Sequence, residues 1–303
     1  MSLPPLPAQT VHLPFEAGPH RMAMGLIAQP PDALVELDDQ YRPELAERRH
    51  LLEHQRAEVF ACLPEAEAAS AEVLARLADL LPVRFPDWFH RNGARLENLL
   101  TGETWNLSDP GLHPLDLAGR LAQEDWCLLQ LTPATPVLAA ANLCFPSRWK
   151  LWDKIGHPLA VVHGPVPLYA EKLARPVDRF MAQVKPGKLV QRLNWGLIDD
   201  PALFQPIRRL RDDADAAFTP DNVAGRIYLR VERQTLSLLP ASNFVLFGIR
   251  VHVYPLSRIA AAPELAGRLA SAVRELPAEL QRYKALAGYR DAALAYLDRQ
   301  AAA

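Results

Sequence analysis

Apolar and polar positions alternate with a period of two through residues 226–256. In NFVLFGIRVHVYPL, Val245, Phe247, Ile249, Val251 and Val253 fall on one face and Gly248, Arg250 and His252 on the other, the mark of a half-buried strand. The preceding RIYLRVERQTLSLL alternates in the same way. It sets Tyr228, Arg230, Glu232 and Gln234 against Leu229, Val231, Arg233 and Thr235. KLVQRLNWGLI (188–198) predicts a third strand. WCLLQLT (126–132) and VLAAANLCF (137–145) predict two short apolar strands across a proline-containing PATP break. Helical spacing appears elsewhere. Residues 38–56 have the charge mixture and spaced leucines of an exposed amphipathic helix, and SAEVLARLADLLPVRFP predicts a second, capped by Ser70 and stopped by Pro82. ARLENLLTGETWNLSD reads as two short extended pieces around a Thr101-Gly102 turn. PELAGRLASAVREL and PAELQRYKALAGYRDAALAYLDRQ predict two closing helices, each opened by proline in its first turn.

The remaining segments are irregular. Residues 1–31 are proline-rich, and between 149 and 184 helical pieces are broken by Gly156, Pro158, Gly164, Pro165 and Pro167. A polar, helix-like link precedes the last two strands, and no fixed-period repeat is present. Two strands, several short helices and then three antiparallel strands is the element order of a PAS domain. The expected fold is therefore α+β: a PAS-like five-stranded antiparallel sheet with intervening short helices around a ligand pocket, flanked by N- and C-terminal helices. The expected division is an N-terminal extension with helices at 1–120, a core at 121–258 and C-terminal helices at 259–303.

Composition narrows the partners. At 303 residues, 50% hydrophobic, the chain has ample material for a packed core. A net charge of −2, with both signs interspersed, offers no basic field for nucleic acid or anionic lipid. No apolar run approaches the roughly 18–20 residues of a membrane span, and MSLPPLPAQT lacks the basic start and apolar core of an export signal. Cys62, Cys127 and Cys144 form no C-x-x-C pair, which argues against a disulfide framework and against a thiolate zinc or iron–sulfur site in this chain. A cytoplasmic protein with no nucleic-acid or membrane partner is expected.

Four constellations bear chemistry. HLLEH (His50, Glu53, His54) fits an H-x-x-E-H zinc pattern, but it stands in the densely charged AERRHLLEHQRAE, which reads as a solvated face. In AVVHGPVPLYAEKL, His163 follows Val161 and Val162, whose apolar character predicts a buried backbone. Gly164 permits close approach of a flat cofactor, and Pro165 and Pro167 fix the exit of the chain. That reads either as a hydrogen-bonded core histidine or as a metal or haem ligand. The row Arg230, Glu232, Gln234 is either a solvated face with an internal ion pair or the polar wall of a cavity. In QRLNWG, Arg192 and Asn194 share a face opposite Trp195, which reads as core; Arg192 is equally readable as a surface residue.

Taken in order, EDWCLLQL, LCFPSRWKLWDKIGHPLAVVHGPVP, QRLNWG and RVERQTLSLLPASNFVLFGIRVHVYPL resemble the haem-dependent oxidative N-demethylase family, whose catalytic subunit is a haem-binding PAS domain. The resemblance runs from about residue 14, through DDQYRPELAERRHLLE, to about residue 256. Its most specific parts are F-P-S-x-W at 145–149 and R-x-E-R-Q-T-L at 230–236. It implies that haem b oxidises a small secondary amine such as dimethylamine with O2, a monooxygenase-type reaction in which the N-methyl group leaves as formaldehyde equivalents. Electrons from NADPH would arrive through a partner carrying FMN and a 2Fe-2S cluster, and a tetrahydrofolate-binding subunit would take up the formaldehyde. This chain has no Gly-rich dinucleotide fingerprint and no cysteine set for a cluster, so the reductase is expected to be a separate polypeptide. VVHGPVP matches the family's segment, so His163 is expected as the axial iron ligand. Arg230, Glu232 and Gln234 are expected to be catalytic, and Lys154, Arg148, Arg192 and Arg233 to bind the cofactor. His157, in the turn-like KIGHPLA, and Cys144, in a strand interior, are rival ligands. A haem-PAS gas or small-ligand sensor without turnover is the alternative to an enzyme.

Overall fold

The alternating segments pair into one large sheet whose two faces are both covered. In the computed structural model, which describes residues 3–208 and 213–303, the strands among the described residues are β1 (Ile27–Gln29), β2 (Phe60–Cys62), β3 (Phe89–Asn92), β4 (Arg95–Asn98), β5 (Glu103–Asn106), β6 (Glu124–Gln130), β7 (Val137–Asn142), β8 (Leu189–Ile198), β9 (Tyr228–Leu239) and β10 (Phe244–Pro255). The helices are α1 (Tyr41–His54), α2 (Arg56–Val59), α3 (Glu67–Arg84), α4 (Pro114–Leu121), α5 (Leu159–Val162), α6 (Ala174–Met181), α7 (Leu256–Ala260), α8 (Pro263–Arg274), α9 (Ala278–Tyr283) and α10 (Arg290–Ala301).

Seven strands run antiparallel in the order β1-β8-β9-β10-β6-β7-β2, and β3-β4-β5 form a separate three-stranded sheet. The sheet is thus wider than the five strands expected. The five long strands fill its middle, and β1 and β2 extend the edges. Those two have only three residues each, too few to display a period. The Thr101-Gly102 turn joins β4 to β5 as expected, with Gly102 at φ +77°.

The expected half-buried character of β10 is overturned. Val245 and Val251 are buried, and so are Arg250 (0% exposed) and His252 (1% exposed) on the opposite face. Residues 143–184 cover one face: Leu151, Leu159 and Met181 pack with Leu236, Ile249 and Val251. On the other face, residues of α1, α3 and α4, among them Leu45, Leu77 and Leu117, pack with Trp126, Leu128 and Leu246. Residues of α8 and α10 pack beside them on Val231 and Tyr254.

Two-sided cover carries charges into the interior. Arg250 therefore meets Asp38 and Glu44, each at 2.7 Å, and Gln123 bridges the same two carboxylates at 3.0 and 2.9 Å. Arg48 pairs with Asp125 at 2.9 Å with both side chains fully buried. α1 is consequently not the exposed helix that its charges suggested, because Glu44 and Arg48 point inward.

Other boundaries also move. α3 starts at Glu67, not at Ser70, whose hydroxyl instead donates back to the Ala66 carbonyl at 2.9 Å. It continues two residues past Pro82, since one proline near a helix C-terminus costs a single backbone bond there. The long closing segment divides into α9 and α10 around Ala285, a residue at φ +54°. Of the polar link between 198 and 226, residues 209–212 lie outside the described residues. The described remainder has turns and a 3-10 turn at Val223–Gly225 in place of a helix. No helix among the described residues is long and apolar enough to cross a membrane.

Candidate functional site

The turn leaving β7 brings the two most specific sequence motifs into contact. Asp125 accepts hydrogen bonds from the backbone N–H groups of Cys144 at 2.7 Å and Phe145 at 3.0 Å, which fixes the chain as it turns over the sheet. Ser147 then reaches β9, where its hydroxyl donates to Glu232 and accepts from Arg230 Nε at 2.8 Å. The remaining Arg230 donors go to the carbonyls of Phe145 (2.9 Å), Ala202 (3.1 Å) and Leu203 (3.0 Å). Arg230 is thus a clamp between two loops. Burial lowers its pKa to about 10, against the pull of Glu232.

The β-sheet register decides which side chains share this wall. Glu232 stands opposite Asn194 and Val251, and Gln234 opposite Arg192 and Ile249. Opposed residues lie on one face, so Arg192, Asn194, Arg230, Glu232 and Gln234 line up. Glu232 accepts from Asn194 Nδ2 at 3.2 Å and from Gln234 Nε2 at 2.7 Å. β1 covers β8 only from Leu189 to Gln191. Beyond that, residues 192–196 are half-buried, and the wall opens at this edge.

Arg233 falls on the opposite face, a correction to its expected role. Its Nε pairs with Glu36 at 3.1 Å and bonds Gln191 Oε1 at 2.7 Å, and Nη2 donates to the Ala33 carbonyl. Arg148 is held by Asp199 at 3.0 Å and by Gln205, so it braces the loop beside Arg230.

His163 ends α5. Its Nδ1–H donates to the Leu159 carbonyl at 2.9 Å, one turn back, which leaves Nε2 as the unprotonated nitrogen. Leu168, at φ +63°, reverses the chain into a π-helical turn over Tyr169–Leu173. Such a placement costs a leucine on the order of 1–3 kcal/mol. It lays the Tyr169 ring on the imidazole, with centroids 4.5 Å apart and planes 9° from parallel. Burial lowers the His163 pKa, and Lys154 and Arg192 lower it further against the bond to Leu159. The imidazole is therefore neutral.

Lys154 caps the end of α5 by donating to the Val162 carbonyl, with its ammonium 5.2 Å above the Trp149 ring. Arg192 is not the surface residue that its sequence left open: it is half-buried, and its Nε is buried with no hydrogen-bond partner. The backbone before His163 is less buried than Val161 and Val162 suggested, since Val161 is 55% exposed. His157 is exposed in a turn after Gly156 (φ +76°). Cys144 is buried, and that burial pushes its thiol up to about 12, which keeps it protonated. In the H-x-x-E-H segment, the His50 and His54 rings stack at 4.4 Å and Glu53 pairs with Arg120 at 3.2 Å, as on an ordinary helix surface.

Several site residues escape a reading of the sequence. Ser147, Asn194 and Tyr169 have no pattern of their own. Lys284, 89 residues from its partner along the chain, donates from Nζ to the Trp195 carbonyl at 2.5 Å. Burial lowers its pKa to about 8, opposed by Glu232 and aided by Arg192.

These residues fit a haem by their chemistry. A neutral imidazole offers Nε2, Lys154 and the orphaned Arg192 supply positive charge, and Val162, Phe180, Phe247 and Val253 are apolar and only partly buried beside them. A polar wall, an oriented imidazole and a partly open apolar surround make a candidate cofactor site. Residues 25–294 match the family described as haem-dependent oxidative N-demethylase, alpha subunit-like, and the chain belongs to that family. The family description carries a haem-dependent oxidoreductase, and its alpha-subunit designation implies a partner subunit.

Proposed function

We propose that the chain is the catalytic subunit of an oxidative N-demethylase acting on a small secondary amine, with haem b as cofactor, whose iron His163 would hold through Nε2. The observation that carries this reading is the His163 geometry: Nδ1–H fixed on Leu159, the ring stacked on Tyr169, the imidazole neutral. Bound there, haem b supplies the reductive activation of O2. Overall, R(CH3)NH, O2, NADPH and H+ give RNH2, formaldehyde, water and NADP+.

This chain's residues bind and orient. Lys154 and Arg192 are the cations for the propionates. Glu232, held by Ser147, Asn194 and Gln234, pairs with the alkylammonium form of the substrate. Lys284 Nζ, whose proton is labile just above neutral pH, supplies a proton at the β8 edge. The fold is read as PAS-like: the five long strands appear as two, a helical segment and three, with that segment packed on one face. Electrons come from a separate NADPH-dependent subunit carrying FMN and a 2Fe-2S cluster, and formaldehyde passes to tetrahydrofolate on a partner. Three free cysteines accord with a reducing, cytoplasmic setting.

The purified chain should show a Soret band that shifts on reduction with dithionite and addition of carbon monoxide, and His163→Ala should remove or strongly alter it. A colourless protein that ignores added hemin overturns the reading. Glu232→Gln should retain the Soret band while losing amine-dependent oxygen consumption. A sensor would bind gas with no amine-dependent consumption at all.

A further inference from the structure

Behind the sheet, on the face away from His163, a second cluster has the make-up of a metal site. His12 Nε2 lies 3.1 Å from Glu36 Oε2, and His252 Nε2 lies 3.4 Å from the same oxygen. One donor atom from each residue falls within 4.8 Å of the others. Two donors held at about 2.0–2.2 Å from one ion stand about 3.0–3.5 Å apart, which matches both of these edges. We propose that His12, Glu36 and His252 bind a divalent first-row transition-metal ion.

His252 supplies the independent observation. It is 1% exposed, and neither ring nitrogen has a hydrogen-bond partner; Glu36 Oε2, 3.4 Å from Nε2, is a close contact. A buried imidazole left in that state has lost its hydration with nothing in exchange. An ion at Nε2 gives the ring a partner. Its Nδ1 lies 3.9 Å from Asp38 Oδ2, beyond hydrogen-bond reach.

The surroundings hold the three donors in place. His252 is fixed on β10, and the Tyr254 ring lies parallel to it at 7°, with centroids 6.0 Å apart. Arg233 Nε takes Glu36 Oε1 at 3.1 Å, leaving Oε2 toward both imidazoles. The Tyr254 hydroxyl donates to the Thr10 carbonyl at 2.6 Å and accepts from the His12 N–H at 3.3 Å, which pins the N-terminal strap that carries His12. Arg233 and Arg250 are already paired, Arg233 with Glu36 and Arg250 with Asp38 and Glu44. Two imidazoles and one carboxylate suit Zn2+ or Fe2+ rather than Mg2+ or Ca2+. The side chains of His12 and Glu36 are 12% and 28% exposed, so water reaches the remaining coordination positions.

The test is Zn2+ binding to the EDTA-stripped, haem-loaded chain, measured by calorimetry and by metal content after dialysis. One Zn2+ per chain is expected, with an unchanged Soret band. His12→Gln lies on the strap outside the core and leaves the fold intact. It and Glu36→Gln should each weaken binding by at least about 10- to 100-fold, the loss seen even for outer-sphere changes. His50→Gln, which disrupts the surface imidazole pair on α1, should leave binding unchanged. The proposal fails if no Zn2+ is retained, if His12→Gln and Glu36→Gln bind as the parent does, or if His50→Gln abolishes the binding.

Discussion

Replacing Lys284 by methionine should remove a titration that opposes folding at neutral pH. The ammonium donates to the Trp195 carbonyl with Glu232 and Arg192 nearby, and burial lowers its pKa from 10.5 to about 8. The folded chain then holds this proton less tightly than the unfolded chain does. Below pH 8 both states are charged, and the folded state carries the full desolvation cost. Between pH 8 and 10.5 the folded state releases its proton first, so stability rises with pH; above 10.5 the difference is gone. At 1.36 kcal/mol per pH unit, the cost near pH 7 is about 3 kcal/mol, of which about 2.5 kcal/mol is recovered by about pH 10. Urea unfolding of the parent and of Lys284→Met across that range isolates the effect, because other titrating groups cancel in the difference. The parent should gain about 2.5 kcal/mol on the variant, a relative midpoint shift of about 1–2 M urea. Stability curves that run parallel from about pH 7 to about pH 10 would show that this amine is not desolvated, and its assignment as a proton source would fall with it.

Two other substitutions probe the buried layers. A Cβ at Gly248 would lie 2.6 Å from Thr235 Oγ1 and 2.8 Å from Trp126 Cζ3, both on buried side chains, so Gly248→Ala should cost about 1–3 kcal/mol by overpacking, read as a lower urea midpoint. Arg250→Met strands Asp38 and Glu44 without their cation and should cost about 3–5 kcal/mol, partly recovered by adding Glu44→Gln. Neither change touches the His163 face, so whatever protein still folds should keep its absorption spectrum.

The strands β9 and β10 were legible from their period of two, and β6 and β7 as short apolar runs on either side of a proline-containing break. The antiparallel pairing of β9 and β10 follows from that period together with their short connection. His163 stood out as a candidate because glycine and proline around it announce a fixed backbone, and Glu232 because a carboxylate in an alternating strand needs a partner. Alternation also separated Arg233 from Glu232, but it could not say which face carries the site. Only the register of β8 against β9 sets Asn194 beside Glu232 and Arg192 beside Gln234, and only the turn held by Asp125 brings Ser147 to both Arg230 and Glu232. The same limit concealed the opposite face. His12, Glu36 and His252 are separated by more than 200 residues of chain between the last two, and each alone reads as an unremarkable polar residue. Local order is written in spacing, because period and turn chemistry act between near neighbours. The partner of a buried charge is chosen by whichever element covers the sheet, and that depends on packing across the whole chain.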